Sequence, residues 1–365
     1  MRSPARVLVA GGGVAGLETV LALQARGEDL APELLAPARH FVHRPLAVLE
    51  PFAEEPQTLR LPLAAFGRER GVPVHRDALA RVLAAERAVL TADGARLEYD
   101  ALVVALGARP LEAVAGALTF RGRQDAGRVR ELVQLARERR VRELAFVVPP
   151  GTTWSLPLYE LALQAAGAVR GAARLTLVTP EPAPLAAFGE RASVAVAAVL
   201  AERGVAVRTA TAAWEVAGGR LLTDAGELPF DAVVALARLT GPHLRGLPSD
   251  PLGFVPVDEH AAVLDTDGVF AVGDVAAAGA KQGGLAAQQA DAAAAAIAAR
   301  AAGEPLPPVA PPVLRGALIT GNGTLYLRHE RGGASEASWE PLWWPPAKLA
   351  ARHLSHHLAT RLIPA

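Results

Sequence analysis

Short apolar strands alternate with amphipathic helices, a glycine-rich turn follows the first strand, and a second strand–helix series begins near residue 111. These three observations predict an α/β chain with two Rossmann-like, three-layer dinucleotide-binding domains, the second inserted in the first, plus a small C-terminal α+β segment. The expected division is 1–110 with 237–310, then 111–236, then 311–365. At 365 residues, 51% hydrophobic and 20% charged, the chain is long enough for two or three domains with cores of their own. Its formal net charge is zero and its pI about 7.2, so the charge balance recruits neither nucleic acid nor anionic lipid. No apolar run approaches a membrane span, and Met1-Arg2-Ser3-Pro4-Ala5-Arg6 leads straight into a strand without the pattern of a signal peptide, so the default expectation is a cytoplasmic protein. Cysteine is absent altogether. That excludes disulfides, thiolate metal sites and a redox-active C-x-x-C pair.

The first strand, Val7-Leu8-Val9-Ala10, runs into Gly11, Gly13 and Gly16 and then into the apolar face Leu17, Val20, Leu21 and Leu23. A bound pyrophosphate needs this order: one glycine turns the chain, one lets the backbone approach the phosphates, and one lets helix and strand pack closely. Val14 and Ala15 then carry the first free N–H groups of the helix, whose partial positive charge suits an anion. A glycine turn without a ligand is the alternative. Glu33-Leu34-Leu35-Ala36-Pro37 ends the second strand with Ala36 where an acid would hold the adenosine ribose. Downstream, Val269-Phe270-Ala271-Val272 is a buried-strand run with Gly273-Asp274 at its C-terminal end, where ligands bind in open α/β sheets. A capped turn is the plainer reading of that pair.

Inside this frame, periodicity gives helices over Val129–Arg140, Leu156–Ala168 and Ala192–Arg203, and strands over Leu144–Val148, Leu175–Thr179 and Ala206–Thr209. Gly218-Gly219 and Ala225-Gly226 mark hairpins, and Phe230–Leu236 reads as a return strand to the first domain. The turn after the first of these strands is Val148-Pro149-Pro150-Gly151-Thr152-Thr153-Trp154-Ser155. Two prolines remove N–H donors and Trp154 is too bulky for close approach to a pyrophosphate, so NAD(P)H is not expected to bind in the usual pose. The following strand ends in Thr179-Pro180 without a clear ribose-binding acid. This turn is either packed and ligand-free or the wall of an acceptor pocket.

Several segments in order resemble the two-dinucleotide-binding-domain flavoproteins of the pyridine nucleotide-disulfide oxidoreductase superfamily, in particular the sulfide:quinone oxidoreductase and flavocytochrome c sulfide dehydrogenase branch. They are Gly11, Gly13 and Gly16; Phe41-Val42-His43-Arg44-Pro45; the strand and A-x-G-x-x-P crossover within Tyr99–Pro110, including Gly107-Ala108-Arg109-Pro110; the proline-rich turn before Tyr159-Glu160; Val178-Thr179-Pro180-Glu181; Gly273-Asp274; and Lys281-Gln282-Gly283-Gly284. The resemblance implies a non-covalent FAD, with Asp274 accepting a hydrogen bond from its ribitol chain and electrons passing through the isoalloxazine ring. It thereby assigns Gly11, Gly13, Val14, Ala15, Gly16, Arg44, Gly107, Gly273, Asp274, Gln282, Gly283 and Gly284 to the cofactor. Lys281, before the long helix Ala286–Ala301, becomes the candidate for tuning the reduced flavin, unless it is simply a solvated surface lysine. His43 and Arg44 line the cofactor or play a structural part. Sulfide oxidation in that branch runs through cysteine thiolates and a persulfide, which this chain cannot supply.

The tail differs in character. Proline-rich Pro305–Pro312 leads to a hairpin, Val313–Thr320 and Thr324–His329, around Gly321-Asn322-Gly323. Trp339-Glu340-Pro341-Leu342-Trp343-Trp344-Pro345-Pro346 then precedes a final helix carrying Leu349, His353, Leu354, His356, His357, Leu358 and Leu362. Packing against the core or a homodimer partner is expected for it, with membrane-surface contact the weaker alternative. No acid or thiol is near the three histidines in sequence, so they read as surface residues and no metal is expected. The whole points to an FAD-dependent oxidoreductase acting between a small-molecule electron donor and a quinone or similar acceptor. A degenerate, FAD-binding or cofactor-free interaction protein of the same fold is the alternative.

Overall fold

The computed structural model describes residues 4–55 and 57–362, with side chains to residue 359. The Met1–Ser3 part of the N-terminal reading and the side chain of Leu362 lie outside the described residues. Two five-stranded parallel sheets organise the chain. The first has the spatial order Val269–Ala271, Ala101–Val104, Ala5–Ala10, Leu30–Leu35, Val74–His75. Parallel register follows from the pairing of Val9 with Leu34 on one side and with Val103 on the other. Its strands read as continuous apolar runs because both faces are covered, the arrangement that crossover helices impose on a parallel sheet.

Helix α1 (Val14–Gln24) and helix α6 (Gly283–Ala302) pack against each other on this sheet. Alanines 287, 290, 293, 294 and 296 of α6 are buried, and their small side chains let the two helices approach closely. Helix α2 (Leu63–Arg70) covers the far edge and ends at Gly71 in the left-handed conformation, with φ of 65°. The second sheet has the order Leu118–Phe120, Ala232–Leu236, Glu143–Val147, Arg174–Val178, Val205–Arg208, again parallel. Around it lie α3 (Ala126–Arg137), α4 (Leu156–Val169) and α5 (Glu190–Glu202). This is the α/β fold the alternation of elements predicts, with α3, α4, α5 and α6 each within three residues of its expected start.

Two expectations need correction. The strand ending at Leu236 is not a return strand: it lies inside the second sheet between Leu118–Phe120 and Glu143–Val147. The return is made by Arg238–Thr240, which pairs antiparallel with Arg109–Leu111. Hydrophobicity could not separate these roles, since Val233, Val234 and Ala235 are as buried as strands of the first sheet. In the tail, the hairpin Val313–Ile319 and Thr324–Glu330 gains a third strand, Ser335–Ser338, whose polar sequence carries no strand signal. Helix α7 (Leu354–Leu362) begins after Leu349 and His353 rather than containing them. It packs on α1, and Leu349, Leu354 and Leu358 join the core of the first sheet. Burying each leucine contributes about 1.5–3 kcal/mol, enough to fix the tail against the core. None of the described helices is long and apolar enough to cross a membrane.

Candidate functional site

The three glycines of the first turn have separate physical reasons. Gly11 has φ of +129°, and a Cβ there would lie 2.1 Å from the Ala105 carbonyl oxygen. A Cβ on Gly16 would lie 1.8 Å from the carbonyl oxygen of Gly11, so α1 crosses the turn at glycine distance. Gly13 is different: nothing lies within 4 Å of where its Cβ would be, and no side chain caps α1 there. The first amides of α1, from Val14 and Ala15, therefore have an open anion-facing approach at Gly13.

The Gly273-Asp274 turn is pressed onto this one. Gly273 has φ of +77°, its amide donates to Gln289 Oε1 at 2.7 Å, and a Cβ on it would lie 2.9 Å from the Cβ of Ala15 and 3.4 Å from that of Ala286. Segments more than 250 residues apart thus form one site. Asp274 is half-buried, and no described residue donates a hydrogen bond to its carboxylate. Burial pushes its pKa up, while Lys281 and Arg44 pull the other way. Half-buried and without a donor from the described chain, the carboxylate is placed to accept a hydroxyl supplied from outside it. Gly107, with φ of +72° and open space at its Cβ position, follows the Ala101–Val104 strand whose end faces the same turn.

Lys281 is not the solvated lysine of the alternative reading. It is 9% exposed, its Nζ donates to the Ala276 carbonyl and stands 4.0 Å from the centroid of the Phe254 ring, and burial lowers its pKa against the attraction of Asp274 and Asp250. The Gln282 side chain is held by the chain itself. It caps α6 by accepting from Leu285 N at 2.8 Å and donates to the Arg315 carbonyl at 3.0 Å. Gly283 and Gly284 form the first turn of α6, with Gly283 against Leu349 and Val14. Arg44 is exposed at the start of a short 3-10 helix, and the structure keeps it within electrostatic reach of Asp274. A cavity of about 230 Å³ opens beside this segment, lined by Ala280, Leu285, Pro312, Leu314, His329 and Arg331.

The adenosine end is narrower. Ala36 is buried and offers no polar atom beyond its backbone, whose amide donates to His75 O at 3.0 Å. Leu63 of α2 covers Gly12, its Cδ1 2.5 Å from where a Cβ would sit. The turn and the Asp274 carboxylate fit a dinucleotide's pyrophosphate and ribitol hydroxyls. The usual ribose grip is missing.

Three carboxylates and one lysine to which the sequence reading gave no role organise the surroundings. Glu160 of α4 is fully buried, accepts from Ile319 N at 2.8 Å, and pairs with Lys348 from the tail. Burial pushes both groups toward neutrality, and their mutual attraction opposes it. Beside Lys348, the buried His43 has its pKa lowered to about 4, first by burial and then by that lysine, and its Nδ1 has no partner among the described residues. Glu18 of α1 is fully buried and accepts from His353 N at 2.8 Å and Leu354 N at 2.6 Å. Asp291 lies 3.6 Å from His353, so two acids flank a histidine read from the sequence as having none. His357 is likewise not a surface residue: it is buried edge-on against Phe66, 5.4 Å between centroids, and contacts Arg70 at 2.7 Å. The available signal was an acid inside an apolar helical run, Leu17-Glu18-Thr19-Val20 and Leu158-Tyr159-Glu160-Leu161.

At the second turn, Trp154 packs on Phe188 with centroids 5.8 Å apart. Glu181, two residues past the strand ending that lacked an acid, faces inward and accepts from Ser155 Oγ at 3.0 Å, Tyr159 Oη at 2.7 Å and Thr179 Oγ1 at 2.9 Å. This carboxylate is engaged by three of the chain's own hydroxyls. The Lys281 amide donates to Thr153 Oγ1 at 3.2 Å, so the second turn abuts the segment before α6.

Comparison with known proteins agrees with this architecture. Residues 159–299 match the family model described as pyridine nucleotide-disulphide oxidoreductase. No curated protein sequence matches the chain. Among solved structures, the sulfide:quinone oxidoreductase of Aquifex aeolicus superposes with a TM-score of 0.81 at 18% identity, covering 99% of this chain and 96% of that one. A ferredoxin reductase from Rhodopseudomonas palustris gives 0.67 at 21% identity, covering 88% and 82%. An NAD-dependent persulfide reductase from A. fulgidus gives 0.63 at 20% identity, covering 88% and 64%. The chain therefore has the fold of these oxidoreductase structures and carries, over residues 159–299, a segment matching the pyridine nucleotide-disulphide oxidoreductase family.

Proposed function

We propose that the chain is an FAD-dependent oxidoreductase that passes electrons from a small donor to a quinone or similar acceptor. Its cofactor domain would be 1–110 with 237–310, its second domain 111–236, and its tail 311–365. The observation that carries the reading is the Asp274 carboxylate, without a donor among the described residues, on a turn pressed against Ala15 beside the open approach at Gly13. Bound there, FAD would supply two-electron chemistry at its ring. Val14 and Ala15 amides would hold the pyrophosphate, Asp274 would orient the ribitol, and the start of α6 with Lys281 would favour negative charge on the reduced ring. The name of the Aquifex aeolicus structure supports a quinone as acceptor. A persulfide route needs thiolates, and the sequence has none.

The second reading, a cofactor-free relative, is favoured by Ala36 and by Leu63 over Gly12. An absorbance spectrum of the purified protein distinguishes the two. The oxidoreductase reading expects oxidised flavin bands and FAD released on denaturation, and anaerobic NADH or NADPH should bleach them slowly and without saturation. Protein that is colourless and takes up no added FAD would leave the cofactor-free reading.

A further inference from the structure

We propose that residues 343–358 form an intramolecular clamp that positions the N-termini of α1 and α6 at the dinucleotide site. The inference rests on the FAD reading for its functional meaning, but its geometry is independent of it. The segment is held at both ends. At its start, the Trp343 ring stands edge-on to Tyr326 with centroids 5.0 Å apart, and its Nε1 donates to the Ala347 carbonyl at 3.0 Å. Lys348 then reaches across to Glu160 of α4. At its far end, both carboxylate oxygens of Glu18 accept from the chain at the start of α7, and Ser355 Oγ folds the intervening turn by bonding to the Leu349 carbonyl and to Ala351 N.

Between these anchors sits Leu349, 2% exposed. Its Cδ1 lies 2.9 Å, and Val14 Cγ1 3.9 Å, from the point where a Cβ on Gly283 would be. Leu349 and Val14, the first residue of α1, therefore both lie against Gly283, the first residue of α6. Glu18 is one helical turn along α1 from Val14, so the clamp grips α1 at two successive turns. The two helices present their first amides to different parts of the proposed cofactor, and their relative placement sets whether one dinucleotide can engage both. Leu349 and Glu18 are thus positioning residues.

Leu349→Ala and Glu18→Ala test this, with Glu18→Gln as the conservative partner and Leu200→Ala, in α5 of the second sheet, as a control for general loss of packing. The first two should weaken FAD binding tenfold or more and speed amide hydrogen exchange at Leu17 and Leu285, the bonded amides in the first turns of α1 and α6. Glu18→Gln should recover part of both effects. Leu200→Ala should lower Tm yet leave the FAD Kd and those amides unchanged. Exchange at these amides that does not respond to Leu349→Ala overturns the clamp, as does an equal response in Leu200→Ala. A wild type that binds no FAD defeats the cofactor reading alone, because the exchange measurement still decides the clamp.

Discussion

The chain contains two strand–turn–helix units of the same design, and their turns are built in opposite ways. In the first, Gly11 and Gly16 bring backbone to within side-chain-excluding distance, and Gly13 opens the start of α1 to an anion. In the second, Pro149 and Pro150 remove amide donors, Trp154 fills space against Phe188, and Glu181 is bound by Ser155, Tyr159 and Thr179. The sheets beneath them are equivalent parallel ladders. On the proposed reading, competence for a dinucleotide lies in a few turn residues and in where a carboxylate points, not in the fold.

The largest predicted effect lies where the two units are tied together. Lys348→Met leaves Glu160 buried without its cation, and breaking a buried pair in this way costs about 3–5 kcal/mol. Chemical denaturation should show that loss, and adding Glu160→Leu should restore most of it, because an apolar pair no longer strands a charge. Within the first turn, Gly11→Ala meets both the Ala105 carbonyl and a positive φ, and should destabilise by about 3 kcal/mol. Gly13→Ala should cost no more than about 1 kcal/mol in stability yet still weaken FAD binding. If the two substitutions behave alike, the division between structural and ligand-facing glycines is wrong.

A smaller effect depends on pH. Burial raises the Glu18 pKa to about 7 from its ordinary 4.5, opposed by the amides of His353 and Leu354, with Asp291 adding to the rise. The native state then holds a proton that the unfolded chain has released between those two values, so the Glu18 contribution to stability falls as pH rises through that range. Wild type should lose about 2–3 kcal/mol relative to Glu18→Gln between pH 4.5 and pH 8. Asp291, raised to about 6, adds a loss of the same sign that both proteins share. Urea titrations across pH would expose the difference, and parallel profiles would remove Glu18 as its source.

How far the sequence could be read follows from the kind of interaction involved. Strand and helix identities were legible because apolar periodicity is local, and the pairing of Gly11–Gly16 with Gly273-Asp274 was legible because each motif has its own spacing. The place of Ala232–Leu236 in the second sheet was not, since strand order is set by packing of distant segments. Lys281 illustrates the limit for side chains: its proximity to Asp274 was within reach of motif reasoning, but its Nζ on the Ala276 carbonyl and above Phe254 depends on a loop conformation that spacing does not encode. The Glu18 contact with the start of α7 joins residues 335 apart and has no sequence signature beyond an acid in an apolar helix.

The account stands most directly on Asp274, the acceptor that no described residue satisfies. Flavin titration of wild type and Asp274→Ala, followed by absorbance and fluorescence, measures its contribution. Losing one buried hydrogen-bond partner costs about 1–3 kcal/mol, so the variant should bind FAD about one to two decades more weakly while folding normally. Equal FAD affinity in the two proteins would contradict the account and leave Gly273-Asp274 as an ordinary turn.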